Sequence, residues 1–194
     1  MKEENVFDVG RMHMRLFLPG EQLPKGIVLT QQTHSANIRI VQSGDENLEN
    51  YDALITDKRN LTLGIKTADC APICFSDKER IGIAHIGWRG LCLGLIEKML
   101  TNFNTEDLQV YVGPFLNSFE VQRDFCYDQL KQKFGNKFFH EESNKLIFDF
   151  KKTIDSLLPR QTVYDSRDTR TDFSFPSYRR EKKKENFVTA VNFR

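Results

Sequence analysis

Residues 81–100 change their hydrophobic period at Gly87. Before that point, Ile81-Gly82-Ile83-Ala84-His85 is a short apolar run of strand length. After it, Leu91, Leu95 and Met99 recur at a spacing of four, as do Cys92, Ile96 and Leu100, which makes a broad apolar helix face. A strand that feeds such a helix through Gly87-Trp88-Arg89-Gly90 restricts the chain to an arrangement in which sheet and helix share a core. It also puts His85 at the carboxyl end of a strand, where α/β proteins gather their chemistry.

Runs of strand length recur at residues 11–18, 27–29, 37–41, 53–56, 61–67, 73–76, 110–112, 162–164 and 187–191. Turn-forming stretches such as Pro19-Gly20 and Asp57-Lys58-Arg59-Asn60 separate them. Pro72 lacks the N–H that a central ladder needs, so a bend or a strand start is expected there. Helical patterning returns at residues 121–134, stopped by Gly135, and more weakly at 148–158, ended by Pro159. Gly90 and Gly94 would weaken an exposed helix, so close packing against a sheet is their expected reason. No repeat or linker interrupts the pattern. Residues 1–194 are expected to form one α/β domain with a mixed β-sheet core and helices outside.

Sixteen phenylalanines supply apolar area for that core. A net charge of +1 carries no signature of a polyanionic partner. The basic run Arg179-Arg180-Glu181-Lys182-Lys183-Lys184-Glu185 is interrupted by glutamates and lacks an aromatic platform. It is expected to be a solvated turn rather than a nucleic-acid surface. No run approaches the roughly 18 apolar residues of a membrane span. The opening Met1-Lys2-Glu3-Glu4-Asn5 leads into no apolar stretch of the kind a secretory signal contains. A cytoplasmic location is therefore expected, with Cys70, Cys74, Cys92 and Cys126 as thiols rather than bridges. The sequence sets no oligomeric state.

Three segments hold the candidate chemistry: Gln31-Gln32-Thr33-His34, Thr67-Ala68-Asp69-Cys70-Ala71-Pro72 and His85-Ile86-Gly87-Trp88-Arg89-Gly90. Two imidazoles and a thiolate can hold one soft divalent metal and leave a position open for water or substrate. His34, Cys70 and His85 lack the close spacing of the strong zinc signatures, and a histidine at a strand end is more often a surface or hydrogen-bonded residue. Cys74, Cys92 and Cys126 read as small core hydrophobes. Asp69 either orients a ligand or moves a proton, or it pins the turn before Cys70.

The same segments, with Asp52-Ala-Leu-Ile-Thr56, Val112-Gly-Pro114, Phe119-Glu-Val121 and Ser177-Tyr-Arg-Arg180 in order, resemble the multicopper polyphenol oxidase or laccase-domain family. Its members are better regarded as purine nucleoside-cleaving enzymes. The resemblance spans residues from about 28 to 191 and implies two sheets sandwiched between helices, an α/β/β/α-like order. It implies that His34, Cys70 and His85 bind one metal, zinc or alternatively copper. It implies phosphorolysis of adenosine, inosine, guanosine or methylthioadenosine, and in some members hydrolytic deamination of adenosine. Phosphate then needs an anion pocket. Backbone amides near Gly87–Gly90, with Arg89, Arg179 or Arg180, are the candidates, although Arg89 could equally pack through its stem. Oxidation of phenols needs several coppers in a histidine-rich setting, which four histidines cannot supply.

Three departures stand out. No Thr-Arg-x-Gly-Gly segment occurs in residues 1–20, although the family's arginine there belongs to the active site. Residues 113–121 lack the usual paired cysteines, and Arg167-Asp168-Thr169-Arg170-Thr171 replaces a late Cys-Thr motif. The missing arginine leaves an alternative reading, a catalytically impaired nucleotide-binding or protein-interaction module.

Overall fold

A computed structural model describes residues 5–194. The acidic opening at residues 1–4 lies outside the described residues. Strands β1 (Val6–Val9), β2 (Met12–Phe17), β3 (Ile27–Leu29), β6 (Thr62–Thr67) and β14 (Phe187–Phe193) form a five-stranded sheet in the order β1-β2-β14-β6-β3. Strands β4 (Ile38–Ile40), β5 (Ala53–Thr56), β7 (Ala71–Ser76), β8 (Ile81–Ile86), β9 (Gln109–Val112) and β13 (Val163–Tyr164) form a second, ordered β13-β9-β7-β8-β5-β4. Three parallel pairs, β3 with β6, β4 with β5 and β13 with β9, make both sheets mixed.

Alternation along the strands explains the layering, because successive side chains point to opposite faces. Leu54, Cys74, Ile81 and Ile83 of the six-stranded sheet meet Met12, Met14, Leu63, Ile65 and Val191 of the five-stranded one in a single apolar cluster. Ala53, Ile55, Ile73, Phe75, Ala84 and Ile86 point the other way, toward helices α1 (Trp88–Cys92), α2 (Leu95–Leu100) and α4 (Phe150–Leu157). This is the mixed β core flanked by helices that the pattern implied. Every residue of β7 and β8 is buried, as expected of central strands covered on both faces.

Several local features differ from the sequence reading. A third sheet of β10 (Ser118–Glu120), β12 (Lys145–Asp149) and β11 (Phe139–Glu142) was not foreseen. Its polar edge strand, half-buried only at Phe139, gives little periodic signal. The helix expected over 121–134 begins only at Phe125, as α3 (Phe125–Phe134). Val121 instead continues the extended pairing by donating to Leu146 O, and the Asp124 carboxylate caps the helix at the N–H groups of Cys126 and Tyr127. The helix after Gly87 is two helices. Gly94 breaks it in the left-handed conformation, φ +76°, so its role is the turn rather than close packing. Pro72 lies at the second position of β7, near the expected strand start.

Gly94→Ala is expected to cost about 1 kcal/mol, because its Cβ would have space but the left-handed backbone disfavours it. Urea denaturation of the two proteins measures this.

Candidate metal centre

Strand pairing brings the ligands together at one end of the two sheets. His34 lies on the connection from β3 to β4, and Cys70 on the connection from β6 to β7. Each connection passes from the five-stranded to the six-stranded sheet. His85 is the penultimate residue of β8, opposite Pro72 in the antiparallel ladder. One donor atom from each of His34, Cys70 and His85 lies within 4.8 Å of the others. That spread is close to what one ion with bonds of about 2.0–2.3 Å can span. Among the described residues this is the one such group of three. His13 instead pairs with Asp8, and His140 stands on β11.

Asp52, fully buried just before β5, organises two of the three ligands. Its carboxylate accepts from His85 Nδ1 at 2.8 Å, leaving Nε2 for a metal. It also accepts from the backbone N–H groups of Thr33, His34 and Ser35 and from Ser35 Oγ. Those bonds hold His34 in a left-handed backbone, φ 61°, that would otherwise be strained. Gln32 braces the same loop. Its amide accepts from Lys66 N and donates to Lys66 O at the edge of β6.

Charge coupling within the cluster suits a metal. Burial would raise the Cys70 thiol, but the charge of His85 and hydrogen bonds from His34 and His85 outweigh it and bring it to about 6. Burial would lower His85, yet the Cys70 charge and the Asp52 hydrogen bond raise it to about 9. A thiolate is the form that binds metal. Gly87 closes the cradle, since a Cβ there would meet Cys70 Sγ at 3.0 Å and His34 Cδ2 at 3.1 Å. The soft donor set, the carboxylate behind His85 and this clearance fit a soft divalent metal ion.

A pocket of about 790 Å³ opens over the cluster. Gln31, Trp88, Tyr178 and Arg179 are among the residues on its walls, and the run Lys182–Asn186 lies along it. Asp69 serves as an anchor. Its carboxylate accepts from Thr169 Oγ1, Ser177 Oγ and Arg179 N, which ties the late loop to the turn before Cys70. Arg89 is exposed, with its guanidinium carbon 5.2 Å from the Trp88 ring centre, and is not among the residues lining the pocket. Arg180 donates to the carbonyls of Thr169, Arg170 and Phe175. Cys74 is a buried core residue as expected, whereas Cys92 and Cys126 are only half-buried at the helix surface.

Similarity to known proteins agrees with this geometry. The family model described as multi-copper polyphenol oxidoreductase laccase matches residues 9–192. The chain belongs to that family. A protein named purine nucleoside phosphorylase from Aquifex aeolicus is 33% identical over 175 residues, covering 85% of this chain and 82% of its own. A Rickettsia prowazekii protein of the same name is 30% identical, covering 79% and 70%. The crystal structure of the Bacillus licheniformis hypothetical protein YfiH superposes with a TM-score of 0.76 at 26% identity, over 87% of this chain and 74% of that one. The laccase-domain fold thus extends over nearly the whole chain.

Sequence reasoning passed over Asp52, Gln32, Thr169 and Ser177 as site-building residues. Asp52, Gln32 and Ser177 stood in the quoted motifs without an assigned role, and all four act through partners distant in sequence.

Asp52→Asn is expected to destabilise the fold by about 3 kcal/mol and to weaken metal retention tenfold or more, read by denaturation and by competition with a chelator. Burial raises the Asp52 carboxyl, but hydrogen bonds from His85 and Ser35 hold it at about 2, below the ordinary 3.8. As pH falls the unfolded chain therefore takes up this proton first. The Asp52 contribution, about 2 kcal/mol, is full above roughly pH 5 and is lost as pH drops through about 2. The stability gap between wild type and Asp52→Asn should shrink across that window.

Proposed function

We propose that the chain is a zinc-dependent purine nucleoside phosphorylase acting at the His34–Cys70–His85 centre, with adenosine the first substrate to test. The observation that carries this reading is the convergence of three metal-type donors, two of them held by one carboxylate, beneath a pocket with aromatic walls. Membership of a family that includes proteins named purine nucleoside phosphorylase supplies the reaction class.

In phosphorolysis the bond from the purine nitrogen to ribose C1′ breaks, a phosphate oxygen joins C1′, and the leaving purine gains a proton. Zinc bound by His34, Cys70 and His85 would supply Lewis acidity and could activate water, the chemistry that adenosine deamination as a side reaction would need. The chain's own residues set up the rest. Trp88 and Tyr178 give the purine ring flat walls on which to stack. Asp52 holds the His85 ring in one orientation through Nδ1, and it fixes the backbone that carries His34. Asp69 acts as a positioning residue, because its oxygens already accept from three donors of the late loop. Arg89 supports the Trp88 wall by stacking on its ring.

Metal-characterised protein incubated with adenosine, inosine, guanosine and methylthioadenosine, with and without phosphate, tests the reading. Free base and ribose 1-phosphate (its methylthio derivative from methylthioadenosine), formed only with phosphate, are the expected products. Inosine from adenosine would mark deamination. Cys70→Ala should lose metal and at least about a hundredfold in turnover. Full turnover by metal-free Cys70→Ala would overturn the mechanism. Nucleoside binding without any turnover would leave a binding module in place of an enzyme.

A further inference from the structure

Each of the three arginines named as anion ligands already has a neighbour, and of the three only Arg179 lines the pocket. Arg89 lies on the Trp88 ring, the Arg180 guanidinium is taken up by backbone carbonyls, and Arg179 stacks on Phe119 at 4.2 Å while donating to Glu120 O. The pocket wall nevertheless carries four other cations, Lys66, Lys182, Lys183 and Lys184. All four are exposed, and among the described residues none has a carboxylate partner within 4.0 Å. The acids on the same wall are Asp69, whose oxygens are occupied, and Glu185. In a chain of net charge +1 this is a local concentration of positive charge.

The fold holds these lysines at the pocket rather than leaving them on a loose tail. Upstream, the Asp69 carboxylate grips Ser177 Oγ and Arg179 N at the turn before Cys70. The short helix α5 (Tyr178–Glu181) then ends at Lys182, whose left-handed backbone, φ 58°, redirects the chain. Downstream, β14 starts opposite β6, with Phe187 in register with Thr67 and Val188 with Lys66. The 182–186 segment is thereby fastened at both ends beside the connection that carries Cys70, with Lys66 on the adjoining strand. The solvated turn expected from sequence is exposed, and it also forms a rim of the pocket.

We propose that Lys66, Lys182, Lys183 and Lys184 form the phosphate-binding subsite of this pocket. The ligand is a phosphate group, either inorganic phosphate as co-substrate or the 5′-phosphate of a purine nucleotide. Flexible ammonium groups suit it, since each is a point charge with three donors and phosphate offers acceptors in every direction. The proposal rests on the purine reading of the site only for the organic part of the ligand.

The test uses zinc-loaded wild type and two variants, Lys182→Ala/Lys183→Ala/Lys184→Ala and Lys66→Gln, with metal content confirming that the site survives. Inorganic phosphate, adenosine and adenosine 5′-monophosphate are titrated calorimetrically at low salt, the phosphate with and without adenosine. Phosphate affinity should fall about tenfold or more in the triple variant and less in Lys66→Gln, while adenosine affinity stays within about twofold. Added salt should narrow the difference. A nucleotide that binds wild type far more tightly than adenosine, with that advantage lost in the variants, assigns the phosphate to the substrate. Phosphate binding that strengthens with adenosine present, without a nucleotide advantage, assigns it to the co-substrate. Either result supports the rim. Unchanged phosphate and nucleotide affinities in both variants would overturn it and leave the phosphorylase reading standing. Rim-dependent phosphate binding in a protein that neither binds nor cleaves purine nucleosides would sink that reading alone.

Discussion

The Asp52 carboxylate is the interaction on which the candidate site depends. It has no exposure to water, and an ionised carboxylate in such a place needs several donors to be tolerated. It receives them from the His85 ring, from three consecutive backbone amides at residues 33–35 and from the Ser35 hydroxyl. Satisfying one buried charge therefore orients a histidine on a central strand and shapes the loop carrying another. His85 N also donates to Asp52 O at 2.7 Å, so main chain and side chain tie the same two positions together.

That carboxylate works at a seam. Strands β3 and β6 run parallel and both leave the five-stranded sheet at the same end, carrying His34 and Cys70 across to the other sheet. A third crossing, after β13 and back to β14, brings Thr169, Ser177 and the lysines to that end. The shared core of Met14, Leu63, Ile65, Cys74 and Ile83 fixes how the sheets face each other. Ligand convergence is thus a consequence of sheet packing. Residues far apart in sequence meet because each lies at or just beyond the end of a strand whose place the core determines.

Most strands of the two large sheets and the first helical face were legible because burial leaves a period in the sequence, whereas β1, with no fully buried residue, was not read. Wholly buried β7 and β8 read as continuous apolar runs, and Leu91, Leu95 and Met99 as a stripe. The break at Gly94 was not legible, since a glycine in a helical pattern can mark packing or a left-handed turn, and only the backbone angle decides. The three-stranded sheet escaped for the opposite reason, because Glu141, Glu142 and Lys145 are exposed and leave no alternation to read. At the site, the metal-type side chains and Asp69 were visible as chemistry, with pinning of the turn among the readings of Asp69, but the role of Asp52 was not. Asp52 and Asp69 act through partners up to 110 positions away in the sequence, a relation that no local window contains.

The cluster compensates its own charge. His85 sits between the Asp52 carboxylate and Cys70, and the pull of both raises its proton affinity while lowering that of the thiol. A thiolate facing an imidazolium avoids the uncompensated buried charge that three separate ligands would otherwise leave. A divalent cation held by His34, Cys70 and His85 would take the place of the proton on His85 Nε2, and the Asp52 bond to Nδ1 already holds the ring in the orientation this needs. The change is confined to the face of the cluster that opens on the pocket. There His34 combines an exposed side chain with a backbone pinned from behind, and Cys70 is half-buried. The rear wall is strand and buried carboxylate, and the front is open because its ligands ride on crossings between sheets. A centre built this way can take up metal and substrate from the same side without opening the core.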